Sequence, residues 1–131
     1  MRPLFSTQVL DLYLPNDMPG PYPCIVAIHG GGFVFGDKRE DQVNAPVEAV
    51  RRGYAVAAMN YRMADKALIP AAVQDVRAAI RFSRAQAQRF DLDPARFAAW
   101  GNSAGGYLAV MAGVTGTVSA FDDPALGNTT Q

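Results

Sequence analysis

The chain has 131 residues, half of them hydrophobic, with 12 basic and 12 acidic side chains and no formal net charge. This length and balance predict one globular domain with a real core and exclude a disordered polyelectrolyte. Zero net charge gives no field that would draw nucleic acid or an anionic membrane surface, and no apolar run approaches the ~20 residues of a membrane-spanning helix.

The opening residues Met1–Phe5 run directly into Ser6-Thr7-Gln8, with no long apolar stretch and no small-residue cleavage site, so no signal peptide is expected and cytoplasmic residence is the default. Val9–Leu14 alternates, which predicts a strand with Leu10, Leu12 and Leu14 on one face, ended by Pro15 and Asn16. Pro19-Gly20-Pro21-Tyr22-Pro23 reads as a turn. Cys24–Ile28 is a short continuous apolar run, the pattern of a strand covered on both faces, and it leads into His29-Gly30-Gly31-Gly32. Cys24 is the only cysteine. It therefore excludes an internal disulfide and a multi-cysteine zinc site, and its apolar neighbours predict a buried, inert thiol.

Ala45–Arg52 reads as a helix with Asn44 as its cap, Pro46 in its first turn and Gly53 as its stop. Tyr54–Met59 is the next strand, followed by Asn60-Tyr61-Arg62. A longer helix is predicted from Pro70 to about Phe90, with Val73, Val76, Ile80 and Ala87 at helical spacing and Asp91-Leu92-Asp93-Pro94 breaking it. Arg96–Trp100 is then a strand, and Ala104 to about Ala112 a helix that turns Leu108 and Met111 inward. From Gly113 onward no periodicity is visible. The alternation of strands and helices predicts an α/β fold, a mostly parallel sheet flanked by helices. The first two strands are linked too closely for a covered crossover, so that pair is expected to be antiparallel.

Two glycine-rich segments carry the chemistry. Gly101-Asn102-Ser103-Ala104-Gly105 matches the G-x-S-x-G pattern between a strand and a helix. Such a turn holds the serine in a strained conformation at the sheet's carboxyl edge, with glycines where side chains would collide, and presents the Ala104 amide at a helix N-terminus. Taken alone, it is equally readable as an ordinary turn with a surface serine. The run Gly30-Gly31-Gly32 directly after a strand shifts that balance. Consecutive glycines are costly to order and make sense where backbone N–H groups approach a substrate oxygen, a contact worth about 3 kcal/mol in serine hydrolases. No G-K-[ST] follows for a phosphate loop, and the glycines do not fit the dinucleotide fingerprint.

On these segments the chain resembles the α/β-hydrolase fold, and within it the hormone-sensitive-lipase-like carboxylesterases. His29–Asp37 matches their HGGG motif and its continuation, and Asn60-Tyr61-Arg62, Pro70–Val76, Asp93–Arg96 and Gly101–Gly106 are similar to segments recurring there. Leu10–Pro15 resembles the strand preceding the motif in members acting on small acyl and aryl esters, acetyl- and feruloyl-xylan esterases included. The resemblance implies that residues 1–131 form the N-terminal portion of an α/β-hydrolase domain, a partial fold whose later strands are missing. It implies Ser103 as nucleophile, the amides of Gly31, Gly32 and Ala104 as oxyanion hole, and His29, Asp75 and Tyr61 as structural support. No metal or organic cofactor is implied. Phe33, Phe35 and Tyr107 are candidates for the pocket or the core alike.

In this fold the acid and base follow the nucleophile in chain order. Here His29 is the sole histidine, and Asp122 and Asp123 lie in an irregular tail. The expectation is therefore a carboxylesterase-like serine hydrolase acting on a small-molecule ester, with no nucleic-acid or membrane partner, poorly stable and nearly inactive as these residues alone. Arg96–Trp100 would form an exposed apolar sheet edge through which copies could associate. An amidase or formamidase on the same scaffold, and a non-catalytic α/β domain that works by binding or association, are the competing readings.

Overall fold

The computed structural model of the chain describes residues 10–30, 44–61 and 71–114. Four strands form one mixed sheet: β1 (Leu10–Tyr13), β2 (Tyr22–Ile28), β3 (Ala55–Met59) and β4 (Leu92–Gly101). The helices are α1 (Asn44–Glu48), continued by a 3₁₀ turn over Ala49–Arg52, then α2 (Ala71–Ala85), α3 (Ala87–Phe90) and α4 (Ala104–Val114). In space the strands run β1-β3-β2-β4, with β2 parallel to both β3 and β4 and β1 antiparallel to β3.

The period-2 geometry of the strands divides the core into two layers. Cys24, Val26 and Ile28 of β2 point to the face covered by α2 and α4, where Val73, Val76 and Leu108 pack. Ala27, Val56 and Ala58 point to the other face, against Val47, Ala49 and Val50. This is why β2 and β3 read as unbroken apolar runs. All five β3 residues are buried, and four of them are alanine or valine, which lets the helices approach closely. Gly53 ends the first helical segment in the left-handed region, φ 89°, donating to the Ala49 and Val50 carbonyls. That is the stop its position predicts.

Several elements differ from the sequence expectation. β1 is antiparallel, yet its partner is β3, not β2. The segment between Tyr13 and Tyr22 steps over one strand, a distance of about 10 Å that a few extended residues span. Leu10 and Leu12 pack on the main core as the alternation predicts, whereas Leu14 lies beyond the strand and is exposed. Tyr22 and Pro23 belong to β2 and not to the preceding turn. The expected single helix to Phe90 is interrupted at Gln86 between α2 and α3, and Asp91 then ends α3 with φ 57°. β4 starts at Leu92, earlier than expected, with a register shift against β2 between Leu92 and Phe97. The Asp93-Pro94 break survives inside that irregularity. The Asp93 carboxylate accepts from Arg96 Nε at 2.6 Å and from the Ala95 amide at 2.9 Å, and these bonds hold its pKa below the usual carboxylate range. Pro70, the expected start of the long helix, and the tail from residue 115 lie outside the described residues.

β4 stands at the end of the strand order, so its outer side is free among the described residues, as expected for Arg96–Trp100. Ala98, Ala99 and Trp100 are exposed, Trp100 by 49%.

Candidate active site

Strand register sets the site. Ile28 is level with Met59 on one side and with Gly101 on the other, so β2, β3 and β4 end together. The segments beginning at His29, Asn60 and Asn102 therefore leave the sheet side by side, at the carboxyl edge where open parallel sheets bind ligands.

Ser103 sits between β4 and α4 with φ 54°, and it is exposed. Asp91 and Ser103 are the non-glycine residues with positive φ among those described. An L-residue is disfavoured there by about 1–2 kcal/mol, because its Cβ crowds the backbone, so the surroundings must hold it. The two glycines of the motif show how. A Cβ on Gly101 would overlap the Gly105 carbonyl, and a Cβ on Gly105 would overlap the Ile28 carbonyl oxygen and lie 2.6 Å from that of His29. The strand thus returns on its own helix at Gly101, and the helix rests on the end of β2 at Gly105. The turn closes by hydrogen bonds from the Gly105 amide to the Asn102 carbonyl and from the Tyr107 amide to the Ser103 carbonyl, both 3.0 Å. Ala104 opens α4, in the turn whose amides have no carbonyl one turn earlier in the helix.

His29 is completely buried. Its Nδ1 is 2.8 Å from the Gly30 carbonyl oxygen, an acceptor only, so Nδ1 carries the proton and donates. Nε2 is then a buried lone pair with no hydrogen-bond partner among the described residues. The imidazole stacks on Tyr61, centroids 4.6 Å apart and planes at 18°, and the Tyr61 hydroxyl donates to the His29 carbonyl at 3.0 Å. Burial pushes the Tyr61 hydroxyl up to about 12. Asp75 is buried on α2.

The structure therefore brings Ser103, Ala104, His29 and Tyr61 to one rim. Gly31 and Gly32, with Phe33, Phe35 and Arg62, lie outside the described residues. Tyr107 is exposed on α4 and not in the core. Sequence reasoning missed the ring stacking of Tyr61 on His29, although both residues lie just past level strand ends, His29 directly after β2 and Tyr61 two residues after β3. It also missed that Arg77 and Arg81, on α2, are buried; nothing in an amphipathic count marks them. Cys24 is buried as expected, and desolvation pushes its thiol up to about 12, which suppresses the reactive thiolate. Among the described residues no three His, Cys, Asp or Glu side chains are placed to hold a metal ion, and no helix is long and apolar enough to cross a membrane.

A sheet with helices on both faces, and a strained serine between strand and helix, define the α/β-hydrolase class. Residues 10–131 match the BD-FAE family model, and the chain belongs to that family. It is 32% identical over 109 residues to the esterase LipC of Mycobacterium tuberculosis, covering 82% of this chain and 27% of that protein. It is 35% identical over 102 residues to the carboxylesterase NlhH of the same species, covering 77% and 32%. Among solved structures, a truncated carbohydrate esterase from gut microbiota superposes with a TM-score of 0.78 at 35% identity, over 84% of this chain and 39% of that one. The resemblance to carboxylesterases is thus upheld, and the chain spans about a third of the length of these relatives.

Proposed function

We propose that these residues supply the nucleophile and the oxyanion hole of a serine carboxylic-ester hydrolase, as the N-terminal portion of its α/β-hydrolase domain. The observation that carries this reading is the positive φ of Ser103, held between two glycines that permit no side chain. A surface serine in an ordinary turn has no need of that strain; a nucleophile that must stand clear of the sheet does.

In this mechanism Ser103 Oγ attacks the ester carbonyl carbon while its proton passes to a general base. The carbonyl oxygen, now negative, is met by the amides of Gly31, Gly32 and Ala104. The tetrahedral species collapses, the alcohol departs with the proton, and water releases the acid from the acyl-enzyme by the same steps. His29 is not that base, because it is fully buried, with Nδ1 committed to Gly30. With Tyr61 and Asp75 it supports the glycine loop. It is the sequence's single histidine, so the base comes from polypeptide other than these residues, and they alone turn over poorly. The substrates are small acyl or aryl esters of the acetyl or feruloyl type, a reading supported by the carbohydrate esterase among the similar structures. Free of that additional polypeptide, the apolar outer edge of β4 pairs with a second copy.

Imidazole rescue tests the reading. Free imidazole replaces the missing base, so it is expected to accelerate acetylation of Ser103 by p-nitrophenyl acetate, seen as an acetyl mass on the Ser103 peptide. Acetylation spread over lysines and unchanged in Ser103→Ala would refute it. Aryl acetate and anilide substrates compared in the same assay separate ester from amide hydrolysis.

A further inference from the structure

Tyr61 links the end of β3 to the serine turn across β2. Its ring is buried against His29, and its hydroxyl donates to the His29 carbonyl at 3.0 Å. That carbonyl oxygen lies against the α-carbon of Gly105, only 2.6 Å from where a side chain would begin. The Gly105 amide closes the turn through the Asn102 carbonyl at 3.0 Å. Two carbonyls therefore brace Gly105 from outside its own helix, those of Ile28 and His29. Ile28 is fixed by the ladder, level with both Met59 and Gly101. His29 is one residue past the ladder, and its carbonyl takes its hydrogen bond from Tyr61.

We propose that Tyr61 is a positioning residue for Ser103: its hydroxyl fixes the His29 carbonyl against Gly105, and this brace maintains the left-handed backbone of the serine. The inference rests on the reading of Ser103 as nucleophile. It goes further by assigning the strain at Ser103 to a side chain that follows a different strand, β3. A residue at positive φ persists only where its neighbours over-determine it, and a hydrogen-bonded carbonyl pressed on a glycine is such a constraint. The hydroxyl is the right donor chemically, since burial keeps it protonated over the whole neutral range.

Two variants of the 131-residue chain separate positioning from general stability. Tyr61→Phe keeps the stacked ring and removes the donor. Ser83→Ala removes another buried hydroxyl, which donates to the Ala79 carbonyl at 2.9 Å on α2, away from the turn. Amide hydrogen exchange by NMR reads the Gly105 and Tyr107 bonds directly. In Tyr61→Phe these two amides are expected to exchange about tenfold faster than the change seen at Val56 and Ala57, the loss that one buried hydrogen bond represents. In Ser83→Ala all protected amides shift together. Equal acceleration of turn and core in Tyr61→Phe, or selective acceleration of the turn in Ser83→Ala, would overturn the proposal.

If Tyr61→Phe does not fold, the wild type decides. The amides of Gly30 and Gly105 are expected to share one opening reaction across a denaturant series, and separate openings would overturn the brace. Because none of these readouts uses turnover, acetylation of Ser103 remains an independent test of the nucleophile. Where acetylation occurs, Tyr61→Phe is expected to slow it and Ser83→Ala to leave it unchanged.

Discussion

Replacing either of two glycines in α4 by alanine gives opposite outcomes from the same chemical change. At Gly113 the added methyl meets nothing within 4 Å. Only the intrinsic preference operates, so Gly113→Ala is expected to stabilise the chain by about 0.5–1 kcal/mol. At Gly105 the same propensity gain is available, but the methyl would overlap the Ile28 carbonyl oxygen and lie 2.6 Å from that of His29. Both are backbone atoms at the end of a paired strand and cannot swing aside as a flexible side chain would. Overpacking of this kind costs typically 1–3 kcal/mol, and the rigidity of the strand end places Gly105→Ala at the upper end, about 3 kcal/mol before the propensity offset and about 2 after it. Urea unfolding followed by circular dichroism measures both midpoints, with an unchanged slope showing that stability alone has moved. A Gly105→Ala stability within about 0.5 kcal/mol of wild type would refute the clash. So would a shift of both variants in the same direction.

Stability is expected to fall between about pH 9 and 12. Cys24 rises from 9.0 to about 12 and Tyr61 from 10.0 to about 12 on burial, so over that window the unfolded chain loses protons that the folded chain keeps. Each such group steepens the loss by up to about 1.4 kcal/mol per pH unit. Unfolding curves of Cys24→Ala should begin their decline about one pH unit later, and an unmoved onset would show that another group controls it. The sole histidine makes nitrogen-15 NMR unambiguous: the ring of His29 is expected as the Nδ1–H tautomer, and an Nε2–H ring would contradict the bond to Gly30. Finally, Ala98→Lys on the exposed edge of β4 is expected to reduce concentration-dependent association in sedimentation velocity. Association undiminished by that charge would place the contact elsewhere.

The fold was legible where a pattern had a single physical cause. Gly53 could only be a helix stop, and the apolar runs of β2 and β3 could only be strands covered on both faces. The partner of β1 was not legible, because strand order across the sheet is set by packing over many residues and not by the link between two strands. Tyr22 and Pro23 looked like part of a turn, yet the early start of β4 draws them into a paired strand, with the Tyr22 amide donating to the Asp91 carbonyl. At the site, the strained turn around Ser103 followed from its glycines. The contact of Gly105 with β2 did not, because no sequence pattern states what a missing side chain makes room for. The stacking of Tyr61 on His29 was half visible: both follow strands, but only the register of β2 against β3 makes them neighbours.

The level ends of β2, β3 and β4 explain why site geometry and stability are coupled here. A serine at positive φ is disfavoured by about 1–2 kcal/mol, and in a free turn it would relax. In this chain relaxation would have to move α4 away from β2. Such a move would separate Gly105 from the Ile28 carbonyl and draw Leu108, fully buried in the main core, out of its packing. Extracting a buried leucine costs about 2–5 kcal/mol, as judged from leucine-to-alanine truncations, which exceeds the strain it would relieve. The larger energy therefore holds the smaller. The conformation of Ser103 is fixed less by the turn's own hydrogen bonds than by what holds α4 in place beyond the turn, the carbonyl brace at Gly105 and the buried side chain of Leu108.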